Sequence, residues 1–495
     1  MDKRRYVAFD LGAESGRAVI GSFDKGLLNC KEVYRFPNKG ITLGGHQYWN
    51  ILGIYDQLLE GLKTSVKLVG QGINGIGVDS WGVDYCLCDA HGNMAGNAFN
   101  YRDPRTKGTP EIIENKLGSE QLYKKTGVQM LPFNTLNQLI AAVRAEDPAL
   151  EIADRLLFIA DFFHYCFTGK KVSEFTAASI SQLYNNGTGQ WDDAIFNAFG
   201  IPRKIAPEVV QAGTVIGDLK PEIAKLVGLD HTKVIAPAVH DTASAAVCIP
   251  TIEEGGWAFL SSGTWSIVGL ELDAPIMDEK SMAMNISNSG GVMGKTLYLK
   301  NVMGLWILQQ CKRIWNKKSP VLDYSDIVNR AFKASPFTAF IDPDDISFLN
   351  AEDTVEEIIN YCKRSGQPVP AYEDIGTVSR IIFESLAMKY RFVLEQLMEG
   401  SGKDVKAIYI IGGGSKNKLL NQFTANVTGR KVYAGPEEAS SIGNIMMQAV
   451  GDGMVDSLVE VRKIIKASFG VSAYRPQEVP QWHAEYVRFK NLIPE

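Results

Sequence analysis

The alternation of apolar and polar positions makes the same move twice along the chain. From Tyr6 to Phe36, short apolar β-rich runs are punctuated by Gly12, Gly16 and Gly26, which predicts three antiparallel strands joined by tight turns. Beyond Gly255 the pattern restarts, with Ala258-Phe259-Leu260-Ser261-Ser262 entering a turn at Gly263-Thr264 and leaving as a second strand through Trp265-Ser266. In both hairpins, backbone N–H groups and hydroxyls converge on one small volume, a way of holding phosphate without a P-loop. One such hairpin per half implies a duplicated architecture and points to ATP chemistry in a cleft.

Between the hairpins the period changes. Tyr48 to Val69 has helical spacing through Ile51, Ile54, Leu58, Leu62 and Val66, and Ile73 to Asp79 returns as a buried strand. Three strands, a helix and another strand make the ribonuclease H-like plan. Helices are predicted over Leu136–Ala145 and Ile152–Phe167, the second closed by Gly169. Lys233 to Pro237 reads as a short strand running into His240-Asp241-Thr242, with a helix from Ala243. In the second half, Val302–Trp315 and Tyr372–Glu399 read as helices. Val405–Ile411 reads as a strand ending in Gly412-Gly413-Gly414-Ser415, and a helix follows from about Lys416 to Val427. The expected fold is α/β, with two ribonuclease H-like lobes of the actin/hexokinase type spanning 1–245 and 246–495 and a junction near 243–255.

Composition narrows the function. At 495 residues the chain exceeds what one core supports. Its 51 basic against 56 acidic residues leave no positive field to collect nucleic acid or anionic lipid, so a small-molecule substrate is expected. The basic start Met1-Asp2-Lys3-Arg4-Arg5 is signal-like, but Asp10 interrupts the apolar stretch behind it, and no run is long enough to span a bilayer. Seven scattered cysteines without C-x-x-C spacing read as reduced thiols, which fits a cytoplasmic protein; Cys86 and Cys88 alternate on a strand as buried thiols rather than ligands. The expected state is a monomer or weak homo-oligomer.

Familiar motifs are absent or misplaced. Gly70-Gln71-Gly72-Ile73-Asn74-Gly75 has dinucleotide-loop spacing but follows a helix and precedes a strand, the reverse of what that loop needs. No Walker-type loop occurs, and the six histidines lack zinc-ligand spacing. Asp10, at the end of the first strand, is placed either to hold hydrated Mg²⁺ beside phosphates or to satisfy its own turn. Arg17 either contacts phosphate or begins a surface strand. Asp241 either caps its helix or acts as the carboxylate base that alcohol phosphorylation requires.

These segments resemble the FGGY family of carbohydrate kinases along essentially the full chain. The resemblance is carried by Asp10 to Arg17, Val78 to Asp84, His240 to Ser244, Ser261 to Trp265, Asn301 to Gln309, Gly412 to Ser415 and Gly435 to Ser440. It implies transfer of the ATP γ-phosphoryl group, with Mg²⁺, to a sugar in a central nucleotide and sugar cleft; the two-lobe plan implies hinge closure on the sugar, which excludes water from the γ-phosphate. The Trp81-Gly82 and Asn301-to-Gln309 segments favour a member acting on the carbon-1 hydroxyl of L-rhamnulose. By the same resemblance Ala13, Glu14, Ser15, Gly16 and Arg17 line the phosphates, and Thr264, Gln309 and Gly413 contact ATP. Gly82, His240, Asp241, Thr242 and Asn301 contact sugar, Asp241 is the base, and Asp10 serves the metal. The chain departs from the family pattern at Ala13-Glu14, where an acidic side chain is expected to point away from phosphate or toward metal.

Other readings stay open. A related kinase acting on fuculose, xylulose or glycerol differs by only a few contacts; the methyl group of rhamnulose asks for an apolar wall, which Trp81 or Trp306 supplies unless each is core. An actin-like ATPase would turn over ATP without sugar. A silent sugar sensor would lack Asp10 or Asp241, and both are present.

Overall fold

The computed structural model describes residues 4–251, 256–318, 321–349 and 351–493; residues 1–3 of the basic start and 252–255 of the expected junction lie outside them. The chain divides into two compact units, one of Met1–Ile252, Glu271–Tyr298 and Ala439–Ser468, the other of Glu253–Leu270, Leu299–Glu438 and Phe469–Glu495. Both are built on the α/β plan that the apolar pattern predicts.

In the first unit Arg5–Leu11 is the central strand. It pairs antiparallel with Ser15–Asp24, which pairs with Leu27–Pro37. On its other side it runs parallel to Gly75–Ser80, and Lys233–Ile235 and Val215–Asp218 follow. A parallel neighbour needs a crossover, and the helix Ile51–Val69 provides it, burying Ile51, Ile54, Leu58 and Leu62. All but the first residue of Arg5–Leu11 is buried, as a strand covered on both faces must be. The helix Ala439–Gly451 packs on Arg5–Leu11 and Gly75–Ser80 and crosses the helix Asp241–Val247 at backbone distance. Gly443 permits that crossing, since a Cβ there would overlap the Ser244 carbonyl.

The second unit repeats the order. Trp257–Ser262 is central, antiparallel to Trp265–Leu272, with Thr296–Met303 beyond it. On the other side it runs parallel to Ala407–Ile411, then come Lys431–Ala434 and Ser472–Tyr474. The helix Ile375–Ser401, 27 residues long and without an internal proline, lies in sequence between the third and fourth strands.

Two sequence-based boundaries are corrected. Ile152–Phe167 is not one helix: Ala153–Phe158 is a strand antiparallel to Tyr85–Asp89, and the helix runs from Ile159 to Thr168, capped by Gly169 at φ 78°. The run from Leu156 to Ala160 is apolar throughout and fits either period. Likewise Val302 and Met303 end a strand, and their helix begins at Trp306. Among the described residues no helix is long and apolar enough to cross a membrane. Cys86 and Cys88 are buried on their strand as free thiols.

Candidate active site

The first hairpin is fixed by short local bonds. Gly12 N–H donates to Ser15 O at 2.9 Å, while Asn38 braces the turn, its Nδ2 donating to Gly12 O and its N–H to Glu14 O, both at 2.9 Å. Ala13 and Ser15 are half-buried, Glu14 is exposed, and Gly16 is buried where any Cβ would overlap the Phe36 ring. Asp10 faces Arg17 across the strand pair, and its Oδ2 accepts from Arg17 Nε at 3.1 Å, Arg17 Nη2 at 2.6 Å and Ser441 Oγ at 2.9 Å. The turn is thus closed by backbone atoms and Asn38, not by the Asp10 side chain.

Two further carboxylates share this neighbourhood. The parallel register sets Asp79 beside Asp10. Asp79 is completely buried, with Asn444 Nδ2 donating to its Oδ2 at 2.6 Å. Burial first and the charge of Asp10 second hold its carboxyl well above the usual range. Asp241 is the first residue of its helix and His240 occupies the cap position, so helix capping does not account for Asp241. Among the described residues its carboxylate is hydrogen-bonded only by its neighbour Thr242, whose Oγ1 lies 3.3 Å from Oδ1. Burial and then Asp10 push Asp241 up to about 7, a value suited to taking a proton near neutrality. His240 Nε2 lies 3.7 Å from Asp241 Oδ1, and burial pulls the imidazole down to about 4, so it is neutral at pH 7.

One helix face ties these groups together. Ser440 Oγ donates to Asp241 O at 3.2 Å, Ser441 to Asp10 and Asn444 to Asp79, all from the helix Ala439–Gly451.

The structure also joins Gly82 to His240. A Cβ on Gly82 would lie 2.5 Å from Ile180 Cδ1 and 3.2 Å from the His240 ring, so the missing side chain is what lets the ring approach. The next residue, Val83, is β-branched at φ 70°, a strained conformation of the kind that tight functional turns retain. Trp81 is 9% exposed and packs on Trp49 with ring centroids 4.2 Å apart. Both indoles donate to Asp84 Oδ2, Trp49 at 2.6 Å and Trp81 at 2.9 Å, while Gln138 Nε2 donates to Oδ1 at 2.7 Å. Burial pushes Asp84 up to about 6 despite these donors.

In the second unit Gly263 N–H donates to Trp265 O at 3.0 Å, closing a tighter hairpin at the equivalent place. Gln309 Nε2 lies 3.3 Å from Thr264 Oγ1, which brings two expected nucleotide contacts together. Gly413 stands in the turn after Ala407–Ile411, with nothing within 4 Å of where a Cβ would be. Its neighbour Gly414 packs so closely on Ser262 that a Cβ would overlap its Oγ. Asn301 is half-buried on Thr296–Met303, and Trp306 starts its helix with the Arg313 guanidinium 5.6 Å from its ring.

No group of three or more His, Cys, Asp or Glu among the described residues is arranged to hold a metal ion by itself. A Mg²⁺ ion in a phosphoryl-transfer site is held by one or two carboxylates together with water and substrate phosphates. Asp10 suits that part, because its hydrogen bonds all fall on Oδ2 and leave Oδ1 to a cation.

The model of the FGGY family of carbohydrate kinases matches with its N-terminal domain over residues 5–248 and its C-terminal domain over 258–451. The chain belongs to the FGGY family of carbohydrate kinases. Among FGGY relatives, the rhamnulokinase of Bacteroides thetaiotaomicron is 43% identical over 491 residues, covering 99% of this chain and 100% of that one. The rhamnulokinase of Bacillus subtilis is 35% identical, covering 96% of each chain. Solved FGGY-like folds include a ligand-bound xylulose kinase from Lactobacillus acidophilus (TM-score 0.80, 18% identity, 99% of this chain and 96% of that one). Plasmodium falciparum glycerol kinase with ADP matches with a TM-score of 0.78 at 17% identity, over 100% of this chain and 99% of that one.

Sequence reasoning left Asp79, Glu174, Ser441 and Asn444 out of the site. The only available signal was a carboxylate inside an apolar strand, as at Val78-Asp79, since a buried Asp is rare without a partner or a task.

Proposed function

We propose that this FGGY kinase transfers the γ-phosphoryl group of ATP to the carbon-1 hydroxyl of L-rhamnulose, giving L-rhamnulose 1-phosphate and ADP. The observation that carries the chemistry is Asp241, a partly exposed carboxylate beside His240 whose proton affinity is raised to about 7, first by burial and then by the charge of Asp10. The substrate is supported by rhamnulokinase relatives at 35–43% identity over nearly the whole chain.

In this mechanism the sugar hydroxyl attacks the γ-phosphorus, its proton passes to Asp241, and the bond to the bridging oxygen breaks to release ADP. The transition state is loose, so the protein's work is alignment and charge neutralisation. Ala13, Glu14, Ser15, Gly16 and Arg17 are assigned to the phosphates, and Thr264, Gln309 and Gly413 to the nucleotide. Gly82, His240, Thr242 and Asn301 are assigned to the sugar. Neutral His240 serves as a hydrogen-bonding group rather than a charge. Mg²⁺, when bound, neutralises phosphate charge, and Asp10 is the residue that would hold it. Arg17 sits on Asp10 and keeps that carboxylate oriented.

A coupled ADP-release assay with Mg-ATP tests the reading across L-rhamnulose, L-fuculose, D- and L-xylulose, L-ribulose and glycerol. Strong preference for L-rhamnulose is expected. Comparable rates on another acceptor would keep the mechanism and overturn the substrate, and sugar-independent hydrolysis would overturn both.

A further inference from the structure

We infer that Glu174 and Thr176 are positioning residues that set the place of the Asp241 carboxylate, an inference that rests on the reading of Asp241 as the base. They lie at the junction of the strand Val172–Glu174 and the helical turn Phe175–Ala178. From there they grip the two backbone N–H groups just before Asp241. Val239 N–H donates to Glu174 Oε2 at 3.0 Å, and His240 N–H donates to Thr176 Oγ1 at 3.1 Å. The two grips are one unit, because the Thr176 hydroxyl and N–H both donate to the same Glu174 oxygen, at 2.5 and 3.0 Å. Asp161 anchors the clamp in turn, its carboxylate accepting the Glu174 N–H at 3.1 and 3.2 Å.

The clamp matters because, among the described residues, Thr242 alone hydrogen-bonds the Asp241 carboxylate. Its position is inherited from the backbone. That backbone is held from the other side as well, where Ser80 N–H donates to Val239 O at 2.8 Å. A turn ordinarily satisfies such N–H groups with backbone or water. Here a fully buried carboxylate is used, and burial pushes Glu174 up to about 7. Stability alone is poorly served by a buried carboxylate, whereas a base that must meet a hydroxyl within hydrogen-bond reach gains from a rigid approach.

Thr176→Val keeps the side-chain shape and deletes both hydroxyl bonds, and Thr176→Ser keeps them. Assayed as the full chain with Mg-ATP and L-rhamnulose, Thr176→Val is expected to lower kcat roughly 10- to 100-fold with the KM for ATP within about twofold. It is also expected to raise the ratio of ADP released to sugar phosphate formed, since a misplaced base favours water as acceptor. Thr176→Ser restores both. Glu174→Asp, which withdraws the oxygen by one methylene, gives the same signature and serves where Thr176→Val does not accumulate as folded protein. Loss of thermal stability with normal kcat and one ADP per sugar phosphate would overturn the clamp, provided Asp241→Asn is crippled in the same assay. A fully active Asp241→Asn would overturn the clamp and the base together.

Discussion

The two units place different chemistry on equivalent positions of one scaffold. In the first, the central strand carries Asp10 just before its end at Leu11, its parallel neighbour carries Asp79, and the turn beyond is Trp81-Gly82. In the second, the central strand ends at Ser261-Ser262, its parallel neighbour ends at Ile411, and the turn beyond is Gly412-Gly413-Gly414. The order of the strands around the central hairpin is shared, while the charge is not. The first unit gathers carboxylates, and the charge of Asp10 adds to burial in raising the proton affinity of Asp79 and Asp241; the second offers hydroxyls, a carboxamide and bare backbone. On the proposed assignment the first unit supplies the proton acceptor, the cation ligand and one phosphate hairpin, while the second meets the nucleotide with N–H donors and close backbone approach rather than acids.

The sharpest break in the comparison is Asp241→Asn. It removes the proposed proton acceptor from the first unit and leaves the second untouched, so turnover is expected to fall roughly 10²–10⁴-fold, about 3–5 kcal/mol of barrier, with little change in ATP binding. Single-turnover formation of sugar phosphate measures it, and near-normal turnover would remove Asp241 from the mechanism. Next comes Asp10→Ser, which gives the first hairpin the residue type of the second. The expected loss in kcat is about 10²-fold, with a higher Mg²⁺ requirement read from a metal titration of the rate. A variant that saturates at the wild-type Mg²⁺ concentration would take Asp10 away from the metal.

Legibility in the sequence divides along the same line. Both hairpins were readable because apolar alternation broken by Gly12 and Gly263 has one local interpretation, and Gly169 marked a helix end correctly. Ala153–Phe158 was not readable, since the apolar run from Leu156 to Ala160 crosses the strand–helix boundary without a period and the partner strand, Tyr85–Asp89, is remote in sequence. Asp10 and Asp241 stood out at strand and helix ends. Their supports did not, because Ser441 and Asn444 come from a helix hundreds of residues away, and Glu174 acts on backbone atoms of Val239 that no side-chain pattern reports.

The glycine turn of the second unit permits a finer contrast. Gly414→Ala forces a methyl group onto Ser262, and overpacking of this kind costs about 1–3 kcal/mol. Because Ser262 borders the second hairpin, the KM for ATP is expected to rise roughly tenfold while sugar KM holds. Gly413→Ala meets nothing within 4 Å in the protein, so a rise in its KM for ATP is attributable to the nucleotide itself. Unchanged ATP kinetics in Gly413→Ala would remove that glycine from the nucleotide contacts.

The gentlest test leaves the chain intact and varies pH. Asp241 must be ionised to accept a proton, and its folded value of about 7 lies above the ordinary carboxylate range. The kcat/KM for sugar should therefore rise with pH and level off above neutrality, dropping about tenfold per unit well below pH 7. The KM for ATP, corrected for the nucleotide's own ionisation, should stay flat, because Thr264, Gln309 and Gly413 do not titrate. Asp10 is the second cause of the shift, after burial, so Asp10→Ser should move the acid limb to lower pH even as it lowers the plateau. An acid limb that stays in place in Asp10→Ser would mean that the charge of Asp10 does not reach Asp241, and the first unit would lose the coupling that sets it apart from the second.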